Sequence, residues 1–459
     1  MGHAPAGLTR ALAITTGGAL LAWLMIGTGF ANYDTAYSIL WGADLAHGRV
    51  PDYSVPVAPT PHPLSTALGF VLSPLGDDAE TAWVVLAFLS LGALAWVVFE
   101  LGFATFGAAA GALAALVILT RQPVLSFGVR AYVDIPYVAL VLGALVTEIR
   151  RPRAGALPLS LLALAGLLRP EAWLFAGVYW LWIGRPWRLA WLVALAPAIW
   201  LAFDWAIAGD PLYSLTGTRD NAEVLQRKTG LDEIPLTVPR RIGEILREPV
   251  LLGALIGGTL ALWRLRARVT LLAAAGVIAL GAFCVLAAAG LPILGRYLLL
   301  PAAVLAIFCG AGVFGWRSLP EDDPWRVRWM AGAAVTAIAL LVFTPKQVER
   351  LGSLRDAIAI QREIRDDLHA LALGVPCGPV YVVNHRPVPL LALWTDRRPS
   401  EIPVFVGSAS RGSHLGPASA EVARRYVLDP NDPVTIDPLA RPDFPRVGEN
   451  PSWVLSARC

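Results

Sequence analysis

Three carboxylates (Asp34, Asp44 and Asp52) and two histidines (His47 and His62) fall between Asn32 and Leu64, a stretch set between two long apolar runs. Asp34 comes first, directly after the first run. A carboxylate held at such a place can take the proton of an attacking hydroxyl. Further along, ionisable residues interrupt otherwise apolar sequence: Arg130 and Asp134, then Arg169 and Glu171, then Arg296 beside Tyr297. An arginine or aspartate near the centre of a membrane helix costs about 2.5–3.5 kcal/mol on insertion scales, so such residues face a polar cavity or pair with one another. Arginine offers a planar, permanently charged fork of donors that matches a phosphate. One carboxylate-bearing loop and several arginines together describe a site for an anionic substrate at a membrane surface.

Every one of these residues also has a plainer reading, and residue type alone leaves both open. Arg169 and Glu171 form a local pair or a cap at a helix end. Arg296 snorkels to headgroups. Asp134, just before a Pro-containing helix start, caps the following helix. Asp44 and Asp52 are solvated turn residues, and Asp44 and His47 are read as scaffold. His47 and His62 have neither His-x-His nor His-x₃-His spacing, so no metal site is expected. No cofactor is expected either; a divalent cation is compatible with these residues but is not indicated by them.

The elements that must hold these groups are membrane helices. The chain has 459 residues, of which 56% are hydrophobic and only 15% charged; soluble domains carry about 25% charged residues. A net charge of +3 gives no argument for a nucleic-acid partner. Eleven apolar runs are spaced along residues 11–345, at about 11–30, 80–102, 107–121, 132–148, 156–168, 171–184, 189–207, 250–264, 269–289, 297–315 and 328–345. Each is read as a transmembrane helix, so the expected fold is a mainly α, polytopic membrane protein. Short connections dense in arginine (150–153, 185–188, 264–268 and 317–328) alternate with longer ones. By the positive-inside rule, the N-terminus and these arginine-rich turns are cytoplasmic. Loops 31–79, 122–131, 208–249 and 290–296, and the tail from 346, then lie outside. Within the first outer loop, Pro63 to Leu75 is apolar but too short to span, and is expected as an interfacial helix.

Two domains are expected: a transmembrane catalytic domain over 1–345, and a small extracytoplasmic α+β domain over 346–459. The tail should begin as an amphipathic helix from Val348 to Leu373, followed by short strands such as Pro379 to Asn384. Cys377 and Cys459 bracket it and, on the outer side, could form a disulfide. Cys284 and Cys309 lie inside apolar runs and read as small core residues.

Several short motifs resemble the multi-spanning glycosyltransferases of the GT-C superfamily, whose members include protein O-mannosyltransferases and aminoarabinose transferases. They are Asp34-Thr35-Ala36-Tyr37, His47 to Tyr53, Pro61-His62-Pro63-Leu64, Arg130 to Asp134, Arg169-Pro170-Glu171, Gly209 to Tyr213, and Arg296-Tyr297 with Pro301. The resemblance covers roughly residues 10–345. Asp34 stands alone where the family often has two adjacent acidic residues, and His62 takes a place often held by lysine. The resemblance implies a polyprenyl-phosphate-linked sugar donor, a glycan, lipid or protein acceptor in the cell envelope, and inversion at the anomeric carbon. Asp34 would be the base, and Arg296 with Arg169 or Arg130 the phosphate ligands. Asp52, His62, Asp134 and Glu171 would orient hydroxyls, with Tyr37 and Tyr297 also lining the substrate. The alternative function is a transporter or flippase of a lipid-linked or anionic solute. The expected location is the plasma membrane, among membrane lipids.

Overall fold

The computed structural model describes residues 4–53, 55, 57–427 and 437–459. The chain is mainly helical. Its first half runs α1 (Ala4–Ile26), α2 (Tyr33–Ala46), α3 (Pro63–Leu72), α4 (Ala79–Phe106), α5 (Ala108–Leu119), α6 (Gln122–Val129), α7 (Asp134–Arg150), α8 (Ala156–Leu168) and α9 (Glu171–Trp182). The second half runs α10 (Ala190–Ala208), α11 (Tyr213–Val224), α12 (Ile234–Leu246), α13 (Glu248–Arg264), α14 (Arg266–Ala288), α15 (Leu299–Phe314), α16 (Pro324–Ala372) and α17 (Val388–Trp394). Each of the eleven apolar runs is helical. Among the described residues six helices are long and apolar enough to cross a membrane, or up to eight if the bent pairs α5–α6 (65°) and α12–α13 (106°) each form one span. This is a multi-pass membrane protein. The shortfall from eleven comes from α7, α8 and α9, which are shorter than the 18-residue length of a single full span and are interrupted by polar helix ends.

The chain forms two compact units. The first takes in the residues up to Gly27, Val84–Trp200 and Thr229–Arg355. Its centre is α15, buried along nearly its whole length. Small residues let backbones touch there: a Cβ on Gly257 of α13 would lie 2.1 Å from the Phe308 carbonyl oxygen of α15. Gly312 is equally closed, 2.4 Å from the Gly253 carbonyl. Dense contact of this kind holds helices together where lipid offers no hydrophobic driving force.

The second unit is discontinuous: Thr28–Trp83, Leu201–Lys228 and Asp356–Cys459. The boundary expected at residue 345 falls inside α16, which runs unbroken across it. The tail does not pack by itself. Tyr37, Leu40, Trp41 and Tyr53 of the first loop share one apolar core with Ile364, Leu368, Val382, Leu391, Leu415 and Trp453. The tail's sheet has the order β1 (Val380–Val382), β2 (Gly412–Pro417), β4 (Trp453–Arg458), β3 (Arg446–Glu449). β1 pairs with β2 in parallel, and the other pairings are antiparallel. Trp453 is fully buried, and its indole N–H donates to the Ile364 carbonyl of α16 (2.7 Å). Cys377 and Cys459 are disulfide-bonded, which fastens the end of β4 to the segment entering β1.

His414, on β2, is fully buried, and among the described residues neither ring nitrogen has a hydrogen-bond partner. Burial first, and then the nearby Arg441 charge, push its pKa down to about 4. The fold therefore accepts the neutral ring, and between pH 6.5 and about 4 the unfolded chain binds the extra proton. Stability is lost as pH falls through that window, by about 3 kcal/mol in full. His414→Phe should flatten this loss, seen as a smaller drop in Tm between pH 7 and pH 4.5 than in the parent protein.

Candidate active site

The second unit carries Asp34, Tyr37, Asp52 and His62. Asn32 caps α2: its side-chain oxygen accepts from the backbone N–H groups of Asp34 (2.8 Å) and Thr35 (3.2 Å). Asp34 therefore sits half-buried in the first turn of α2, where the positive end of the helix favours a carboxylate. Tyr37 lies one turn on and is buried, its ring 5.1 Å from Tyr33 and 5.0 Å from Trp41. Burial holds the Tyr37 phenol well above the usual tyrosine range. Trp41 donates to the Asp52 carbonyl (3.2 Å) and packs on Tyr53, whose ring stacks on Tyr213 of α11 at 5.6 Å. This aromatic column supports the loop that carries Asp52, itself half-buried. His62 is the N-cap residue of α3, followed by Pro63. Asp44 and His47 are at the far end of α2. Asp44 pairs with Arg49 (2.9 Å) and His47 with the Ala43 carbonyl (2.8 Å).

The first unit gathers the remaining candidates at helix ends. Asp134 opens α7, Glu171 opens α9, Arg169 closes α8, and Arg296 and Tyr297 lie in the 3₁₀ turn Gly295–Leu298 before α15. Acids at helix starts and an arginine at a helix end are each favoured by the helix dipole. Asp134, Arg169 and Glu171 are all buried. The Arg169 guanidinium donates through Nε to Glu171 Oε1 (3.0 Å), through Nη2 to the same oxygen, and through Nη1 to Asp134 Oδ1. Its flat face lies 3.8 Å from the centre of the Tyr297 ring. Arg296 Nε is 3.8 Å from Asp134 Oδ2, and the Arg296 guanidinium sits 4.9 Å over the Tyr132 ring. Arg130 is the C-cap residue of α6, four positions before Asp134. The local pairing of Arg169 with Glu171 is thus present, and so is a longer-range pairing with Asp134 that spacing along the chain does not reveal.

Other ionic groups are buried at positions where the sequence pattern gives no partner. Arg365 of α16 donates to the Ala31 carbonyl (2.5 Å) and pairs with Glu80 (2.6 Å), whose other oxygen accepts from the Ala31 N–H (3.0 Å). This ties the segment entering α2 to two helices. Glu100 of α4 takes Arg10 (2.7 Å) and Arg150. Glu148 accepts from the Tyr179 hydroxyl (2.6 Å) and the Arg153 N–H (2.6 Å). A lone acid in the middle of an apolar run was the available signal for Glu100. Asp204 has a role that its sequence context did not show: it accepts from both the N–H and the hydroxyl of Ser214 (2.8 Å each), closing the first turn of α11. Among the described residues no group of three or more His, Cys, Asp or Glu is placed to hold a metal ion.

No family model matches the sequence, and no curated protein does. Solved structures do match. One is ArnT from Cupriavidus metallidurans bound to undecaprenyl phosphate, with a TM-score of 0.57 over 97% of each chain at 14% identity. The apo form of the same protein gives a TM-score of 0.51 over 98% of each chain, again at 14% identity. At that identity the likeness is one of fold, and it runs over nearly the full length of the chain.

Proposed function

We propose that this chain is a membrane glycosyltransferase that moves a sugar from a polyprenyl-phosphate donor to a hydroxyl of a cell-envelope glycan, lipid or protein, with inversion. The observation that carries this reading is the fold shared, over nearly the full length, with a protein captured with undecaprenyl phosphate. The buried Arg169–Asp134–Glu171 group beside Arg296 supports it, because charges taken this far from water need a purpose.

In the proposed reaction the acceptor oxygen attacks the anomeric carbon, and the bond from that carbon to the phosphate oxygen breaks. Asp34 takes the hydroxyl proton. Polyprenyl phosphate leaves with the electron pair and one further negative charge, so cationic donors aimed at it lower the barrier. No second carboxylic acid is needed, since a phosphate leaves without being protonated. Arg296 and Arg130 are the proposed phosphate ligands, while Asp52 and His62 orient sugar or acceptor hydroxyls. Tyr37, buried among aromatic rings, braces the helix that carries Asp34.

The proposed topology has eleven membrane crossings, the N-terminus in the cytoplasm, and the outer loops and tail outside. Alkaline-phosphatase fusions after residues 153 and 459 test it: the first should be inactive and the second active. The ligand is tested by thermal shift. Undecaprenyl phosphate at 100 times its Kd should stabilise the purified protein by about 2.7 kcal/mol, and the same concentration of undecaprenol, which lacks the phosphate and binds through its chain alone, should stabilise it by much less. Equal shifts with the two lipids would remove the phosphate site from the account.

A further inference from the structure

Three of the five N–H donors of Arg169 are committed. Three N–H groups of its guanidinium point at carboxylate oxygens of Asp134 and Glu171, and the face is covered by Tyr297 at 3.8 Å. A bidentate grip on a phosphate needs two parallel N–H groups of one fork; the Nε/Nη2 fork of Arg169 is taken by Glu171 and its Nη1 already serves Asp134, so a phosphate there would have to sit against two buried carboxylates. Arg296 is differently placed. It is less buried than Arg169, and its ion pair with Asp134 is long (3.8 Å). Asp134 is therefore shared: Oδ1 serves Arg169 and Oδ2 faces Arg296. Arg169 also touches the neighbour of Arg296 in the chain, through the Tyr297 ring, so it holds the 3₁₀ turn from which Arg296 projects.

We infer that Asp134, Arg169 and Glu171 form a buried strut that sets the position of the Arg296 guanidinium, and that Arg169 is a positioning residue and not a phosphate ligand. The inference rests on the proposed lipid-phosphate site and assigns the parts within it. Of the two arginines offered beside Arg296 as phosphate ligands, Arg169 or Arg130, it removes Arg169. Removing Arg169 then acts through Arg296, whereas a second direct ligand would act beside it.

A double-mutant cycle separates the two. The purified full-length protein in nanodiscs is titrated with undecaprenyl phosphate, and with undecaprenol as the uncharged reference. Arg296→Gln should weaken undecaprenyl phosphate binding by about thirtyfold and Arg169→Gln by about tenfold. In the Arg296→Gln background, Arg169→Gln should cost less than twofold more. Glu171→Gln, which preserves volume, repeats the cycle if Arg169→Gln fails to fold. The same near-complete coupling is expected, and undecaprenol binding should be unchanged in every variant, which damage to the fold would not allow. Losses that multiply in the double variant would overturn the strut and make Arg169 a ligand. If the parent protein does not prefer undecaprenyl phosphate over undecaprenol, and Arg296→Gln changes nothing, the lipid-phosphate reading itself is overturned.

Discussion

Replacing Asp34 with Asn is expected to lower the rate of sugar transfer by about 10²–10⁴-fold, the usual contribution of a positioned general base. The substitution keeps side-chain volume and leaves the Asn32 cap intact, because Asn32 receives its hydrogen bonds from backbone N–H groups of Asp34 and Thr35. Tm should therefore change by little, and donor binding should persist. The loss should fall on kcat, since the proton is taken only as the acceptor bond forms. Asp44→Asn, which alters an ion pair with Arg49 outside the proposed chemistry, should leave kcat unchanged. A steady-state comparison of the two variants checks both statements; an Asp34→Asn protein with full transfer activity would remove Asp34 from the mechanism.

The largest stability effect is expected at Arg365. Its side chain is 2% exposed, and it meets the Ala31 carbonyl and the Glu80 carboxylate. Arg365→Leu fills much of the volume but leaves the Glu80 charge, 14% exposed, without its cation. Breaking a buried pair from one side costs about 3–5 kcal/mol, and the Ala31 carbonyl loses its donor at the entry to α2. The double variant Arg365→Leu/Glu80→Gln should recover part of this, because the stranded charge is gone. Thermal unfolding in detergent, read by tryptophan fluorescence, measures it; a single variant as stable as the parent would show that the pair is dispensable. Since Arg365 holds the segment leading to Asp34, transfer activity should fall along with stability.

Much of the membrane part was legible because apolar length is a one-dimensional property. Each of the eleven runs is a helix, and the short helix from Pro63 and the strand near Val380 are where turn residues and apolar patterning put them. The pairings of charge were less legible. Arg169 and Glu171 are two residues apart, so their contact is local and readable, but Asp134 reaches Arg169 only because α7 and α8 are antiparallel neighbours. The domain boundary was hidden for a related reason. Composition changes sharply at residue 346, yet Tyr37, Trp41 and Tyr53 complete the core of the tail, and no composition shift records which distant segments bury one another. Within α16 the apolar half passes into the amphipathic half without a break, since both halves satisfy the same backbone hydrogen bonding. Conversely, Tyr37 matches the motif of the resembling family while its position is that of a core residue.

Transfer of a sugar from polyprenyl phosphate is measured by reconstitution. The purified chain in proteoliposomes is supplied with radiolabelled polyprenyl-phosphate sugar and an envelope extract as acceptor. Label is expected in an acceptor product of inverted anomeric configuration, with one polyprenyl phosphate released per sugar transferred, and both should be lost with Asp34→Asn. Movement of the labelled lipid across the bilayer with no glycosylated product and no released polyprenyl phosphate would contradict sugar transfer.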